Sequence, residues 1–133
     1  MNFIFPIVWC LACAFSVDEM TMGFQGHHKD KKHTTCKAEG DGFQADALCQ
    51  TGFCYQIYMR NDLAPKTCLK KGMSPLYSRV MSLFDAVKNY HHQCEMDNLY
   101  NSAAFCKAAY NHDKKVLTHG VTRLSSRGVP PCV

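Results

Sequence analysis

The sequence predicts a small disulfide-rich α+β domain, a β-hairpin followed by a helical pair, and three observations lead there. An uncharged, apolar opening reads as a secretory leader; the cysteines are numerous for a chain of 133 residues; and the hydrophobic pattern changes from strand-like to helical near Gly72. From Met1 to Ser16 the chain carries no charge, and Phe3 to Leu11 supply an apolar stretch too short to span a bilayer. Ala12, Ala14 and Ser16 offer small residues at the spacing that a signal peptidase requires. Residues 1–16 are therefore expected to be a signal peptide, and the product to be secreted and extracellular. Such a compartment is oxidising, which favours reading the remaining cysteines as bridges.

The next stretch, residues 17–35, is polar and poorly periodic, and it ends in His27-His28-Lys29-Asp30-Lys31-Lys32-His33. It reads as a flexible N-terminal arm. Residues 36–133 then form a single cysteine-rich domain. Phe53 to Met59, rich in aromatic and β-branched side chains, is the strongest strand. Asn61-Asp62 and Pro65 supply a turn, so that Lys66 to Leu69 is expected to return as the antiparallel partner of a hairpin over residues 53–70. Alternation places Tyr55, Ile57 and Met59 on one face, and Cys54, Gln56 and Tyr58 on the other.

Ser74-Pro75 is a helix start, Ser as N-cap and Pro at the first helical position. Leu76, Val80, Leu83, Phe84 and Val87 follow at helical spacing. Asp97 is the expected cap of a second helix carrying Leu99, Ala103, Cys106 and Tyr110. The tail from Gly120 reads as irregular and has no apolar run, so no membrane span or lipid-anchor signal is expected.

Nine cysteines less the two of the leader, Cys10 and Cys13, leave seven: Cys36, Cys49, Cys54, Cys68, Cys94, Cys106 and Cys132. An odd number cannot all pair within one chain, so a disulfide-linked dimer is possible. The run Cys36-x12-Cys49-x4-Cys54-Tyr55, with Cys68-Leu69-Lys70-Lys71-Gly72 after it, resembles the opening half of secreted three-finger domains, the group of snake toxins, activin-receptor ectodomains and nematode cysteine-rich modules. The resemblance covers residues 36–72. It implies Cys36–Cys54 and Cys49–Cys68 bridges and, from the next family pair, Cys94–Cys106, leaving Cys132 unpaired. The adjacent cysteines and the Cys-Asn ending of that family are absent from this chain.

Candidate chemistry is sparse. His27, His28 and His33 are nitrogen donors, but nothing fixes them relative to one another, and no metal or other cofactor is expected. His91 and Glu95 would share a helix face with His92 alongside, the constellation of a secreted hydrolase. No oxyanion-hole or calcium-loop motif accompanies them. His112-Asp113 reads as surface, and the Lys-Lys pairs as solvated charge.

The net charge of +4 is mild, with basic and acidic residues interspersed, so a nucleic-acid partner is not expected. The reading that follows is a secreted, non-enzymatic binding protein, a ligand or inhibitor of an extracellular or cell-surface protein. Tyr58 and Arg60 near the hairpin turn are its contact candidates, because Tyr and Arg are enriched at binding hot spots. The alternatives are the hydrolase using His91, His92 or Glu95, and a disulfide-linked structural protein.

Overall fold

The computed structural model describes residues 13–33, 40–60, 73–88, 91–123 and 128. These form a mixed six-stranded sheet with two helices: β1 (Ala14–Gly23), β2 (Lys32–His33), β3 (Asp41–Gln50), β4 (Phe53–Met59), α1 (Pro75–Asp85), β5 (Gln93–Met96), α2 (Ala103–Tyr110) and β6 (Leu117–Gly120). The expected hairpin followed by a helical pair is thus replaced by a sheet in the order β2-β3-β1-β5-β6, with β4 also on β3. β1 is its hinge, antiparallel to β3 on one side and parallel to β5 on the other.

The leader reading fails at this strand. Ala14, Phe15 and Ser16 belong to β1, Ser16 pairs with Cys49, and Phe15 is 3% exposed within the core. Cleavage after Ser16 would remove a core aromatic from the central strand. Residues 1–12 lie outside the described residues. Much of the stretch expected to be a mobile arm likewise lies in strands, since β1 runs to Gly23 and β2 pairs with β3.

β4 is where the aromatic pattern places it, but its partner is β3 upstream; residues 61–72, expected to return, lie outside the described residues. Thr51 and Gly52, both at positive φ, make the two-residue turn between Gln50 and Phe53. The register then slips by one, from Cys49↔Cys54 to Leu48↔Gln56, leaving Tyr55 as the extra residue of a β-bulge. This bulge breaks the strict alternation expected for the strand. Tyr55 is buried in the core and Tyr58 also packs against it, although an unbroken strand would point them to opposite faces.

α1 begins as Ser74-Pro75 predicts: the Ser74 hydroxyl accepts the Tyr77 N–H at 3.3 Å. Its stripe buries Val80, Leu83 and Phe84, and Val87 beyond its end is also enclosed. α2 is capped by Ser102, not Asp97, and it buries Phe105 and Ala109 while Leu99 and Tyr110 stay exposed. No helix among the described residues is long and apolar enough to cross a membrane.

The chain passes from β1 through α1 to β5, and from β5 through α2 to β6, stepping the same way across the sheet. Right-handed crossovers in one direction put both helices on one face. One core results, in which Phe15, Val17, Leu48, Cys94 and Met96 of the sheet meet Val80, Leu83, Phe84 and Phe105 of the helices. Phe84 lies 5.9 Å from Phe15 and 6.2 Å from Phe105, ring centre to ring centre.

On the helical side of β3, Asp46 is fully buried. Its carboxylate accepts from Arg60 Nε at 3.0 Å and Nη2 at 2.9 Å, from Arg79 Nε at 2.7 Å, and from the Tyr100 hydroxyl at 2.8 Å. Arg60 reaches on to Glu19 at 3.1 Å. Two acids thus balance two guanidinium groups across five segments of chain. Burial opposes the charge of Arg60, but the hydrogen bonds and charges of Asp46 and Tyr100 together outweigh it and raise its pKa. Burial, and then Asp46, push the Tyr100 phenol up as well.

Removing one member of a buried ionic group leaves the others uncompensated, at a cost of roughly 3–5 kcal/mol. Asp46→Ala is expected to lose stability of that order in urea denaturation. Asp85→Ala, which removes the exposed partner of His112 (3.0 Å), should lose about 0–1 kcal/mol. An acid whose folded pKa is raised contributes stability below its unfolded value, about 10 for Tyr, and loses it as pH rises through the folded value. Wild-type stability should accordingly fall above about pH 10, and Tyr100→Phe should flatten that fall in an alkaline titration followed by circular dichroism.

Candidate functional site

Two short runs of the sequence share one pattern, Phe15-Ser16-Val17-Asp18 and Cys94-Glu95-Met96-Asp97. In each, the apolar residues face the core and the polar ones face away, so Ser16, Asp18, Glu95 and Asp97 emerge on the sheet face opposite the helices. The parallel register pairs Ser16 with Glu95 and Val17 with Met96. Asp18 and Asp97 are the residues next in line, Asp18 still within β1 and Asp97 just past the end of β5.

Each carboxylate accepts the backbone amide of the residue that follows it. Asp18 Oδ1 accepts the Glu19 N–H at 2.7 Å, and Asp97 Oδ1 accepts the Asn98 N–H at 2.6 Å. The Asp97 carbonyl also accepts from the backbones of Tyr100 (3.0 Å) and Asn101 (3.1 Å), which makes the tight turn after β5. A cleft of about 350 Å³ opens here, lined by Asp18, Glu95, Asp97 and, from β6, His119. Its floor includes Gly120, at positive φ, whose Cα lies against the Met96 carbonyl.

Hard carboxylate oxygens on an open face suit a divalent cation such as Mg²⁺, which commonly takes one or two carboxylates and completes its shell with water and phosphate oxygens. Among the described residues no three His, Cys, Asp or Glu side chains group as a metal cluster. The chain thus offers a two-carboxylate arrangement.

The residues singled out from sequence are placed elsewhere. His91, at positive φ and exposed, precedes β5, whereas His92 is buried with its ring 5.7 Å from that of Phe15. They lie on or before a strand instead of a helix, and of that trio Glu95 alone lines the cleft. His112 is buried beside Phe84, with Nε2 on Asp85 and Nδ1 accepting the Lys114 N–H. Arg60 is hydrogen-bonded to Asp46 and half-buried, and Tyr58, also half-buried, packs against the core.

The bridge framework is overturned too. Cys13, Cys49, Cys54, Cys94 and Cys106 are all free thiols. Cys94 is enclosed in the core, where burial raises its pKa, and the Cys106 thiol donates to Asn101 Oδ1 at 3.0 Å. Cys36, Cys68 and Cys132 lie outside the described residues.

No family model and no curated protein matches the chain. Among solved structures it is similar to a piggyBac transposase, determined by cryo-electron microscopy as a synaptic complex with hairpin DNA. The TM-score is 0.73 at 18% identity, over 90% of this chain and 25% of that one. The likeness is one of fold, and this chain spans a quarter of the transposase chain. A fold similar to part of a transposase, a core that includes Phe15, and free thiols together overturn the reading of a secreted, disulfide-bonded extracellular binding protein. The expectation of no nucleic-acid partner is not kept either, because the solved structure of similar fold is a complex with DNA.

Sequence reasoning missed Asp18, placed in the supposed arm, and Asp97, taken as a helix cap. The usable signal was the repeated alternation ending in Asp. Gly120→Ala would drive a methyl group into the Met96 carbonyl as well as straining φ, and it should cost about 1–3 kcal/mol. Gly52→Ala, with open space around it, should carry only the positive-φ penalty, about 1–2 kcal/mol. Parallel thermal melts of the two variants check this ordering.

Proposed function

We propose that this chain is a DNA-associated domain of the phosphoryl-transfer type, in which Asp18 and Asp97 together engage a divalent cation at the DNA backbone. The observation that carries the reading is that both side one cleft, Asp97 just past the end of β5 and Asp18 on the neighbouring parallel strand β1, on the face the helices leave uncovered. Open α/β sheets take ligands outside the carboxyl ends of their strands, at the point where chain direction across the sheet changes, and β1 is that point here. The similarity in fold to a transposase solved with hairpin DNA supports DNA as the class of partner.

A bound cation of this kind supplies Lewis-acid polarisation of a phosphoryl oxygen. The chain's own part is to hold two carboxylates in fixed register. The Glu19 and Asn98 amides orient them, and the Met96 and Val17 side chains anchor the strands beneath. Glu95 and His119, partners across β5 and β6, stand beside the pair.

The test is Mn²⁺ binding by the full chain with and without a hairpin DNA, read as paramagnetic broadening of backbone amide signals. Broadening should centre on Asp18 and Asp97, sharpen in affinity when DNA is added, and be lost in Asp18→Asn and in Asp97→Asn. Fluorescence anisotropy should show DNA affinity falling as salt is raised, the mark of backbone contacts. Broadening that survives both substitutions, or an absence of DNA binding at low salt, would refute the assignment.

A further inference from the structure

The hairpin of β3 and β4 sets Cys49 directly opposite Cys54, one pair back from the Thr51-Gly52 turn. Side chains at directly opposed positions lie on the same face of the sheet. Both thiols are free and partly exposed. Opposed residues of antiparallel strands have Cα atoms about 4.5–5.5 Å apart, within the roughly 4.4–6.8 Å that a disulfide spans. The Cys54 thiol donates to the Gln56 carbonyl at 3.8 Å. The face is the one that carries Asp18: Ser16 pairs with Cys49 and donates to its carbonyl at 3.4 Å, and the Asp18 charge is felt at Cys49. A cleft of about 190 Å³, bordered by Ser16, Thr51 and Glu95, gives a reagent access to Cys49.

We propose that Cys49 and Cys54 form a dithiol modification site, which exchanges with a small disulfide of the glutathione class and closes to a bond across the hairpin. This pairing differs from every bridge in the sequence-derived framework, and it is made by reaction of a reduced protein. The order of steps follows from access, since the cleft beside Ser16 and Thr51 is lined by Cys49 and not by Cys54. Burial raises both pKa values, Cys54 to about 11.

Cys49 loses its proton to solvent and attacks one sulfur of the small disulfide, forming a mixed disulfide and expelling one small thiolate, which takes up a proton. Cys54, losing its own proton, then attacks Cys49 Sγ and expels the second. Two protein thiols are oxidised and one small disulfide is reduced to two thiols.

The experiment uses the reduced full chain, glutathione disulfide at neutral pH, acid quenching, alkylation and tryptic mapping. Lys37 and Arg60 bound one peptide, residues 38–60, whose only cysteines are Cys49 and Cys54. In wild type that peptide should lose the mass of two hydrogens, carry no glutathione and resist alkylation. Cys54→Ser should stop at a glutathione adduct on Cys49, and Cys49→Ser should form its adduct on Cys54 more slowly. A wild-type peptide that keeps glutathione, or stays open to alkylation at both cysteines while other cysteines of the chain react, would overturn the proposal. So would bridges from Cys49 or Cys54 to other peptides only. The wild-type readout needs no substitution, so a variant that fails to fold does not shield the idea.

Discussion

A single buried carboxylate, Asp46, sets the constraint on which the rest of this fold depends. Deep inside the sheet–helix interface it can be accommodated only with its partners in place, because the cost of desolvating a charge is offset by hydrogen bonds of good geometry and opposite charge. Arg60 comes from the end of β4, Arg79 from α1, Tyr100 from the turn before α2, and Glu19 joins through Arg60 from β1. An alternative packing that satisfied Asp46 would have to bring all of these segments together again. The network also explains the precision of the cleft: Glu19 follows Asp18 directly, and Tyr100 closes the turn that Asp97 opens. On β1 the two neighbours point to opposite faces, one into the network and one toward the open side. Structure and site therefore share backbone without sharing side chains.

Local features of this fold were legible in the sequence and non-local ones were not. Ser74-Pro75 announces α1 because capping is chemistry between near neighbours, and Phe53 to Met59 announces β4 through its aromatic and β-branched content. β3 gave no comparable sign: Asp41, Gly42 and Asp46 are residues that strands disfavour, and Asp46 is admitted only by partners remote in the chain. The Tyr55 bulge could not be foreseen either, since it arises from the register between two strands.

One inference misled several others. The apolar opening suggested a secretory leader, the leader implied an oxidising compartment, and the compartment made every cysteine a half-bridge. Yet Phe15, Val17 and Cys94 are core residues of adjacent strands, and a buried free cysteine behaves as a small apolar side chain. Of the candidate site, the Asp18–Asp97 juxtaposition depends on parallel pairing through a crossover, and no spacing rule in one dimension encodes it.

Charge composition misled for a related reason. The count of basic and acidic residues treats all of them as surface, but Arg60 and Arg79 are drawn into the Asp46 network, and Lys31 is paired with Asp41 at 2.9 Å. What a polyanion meets is the distribution left after such pairing. Lys29 and Lys32 flank a cleft of about 300 Å³ beside Phe43 on the β1–β3 connection, while the acids of the carboxylate pair stand apart at the end of β5. A mild net charge is thus compatible with an uneven surface, on which Lys29 and Lys32 stand together near Asp30 while Asp18, Glu95 and Asp97 gather where β5 ends.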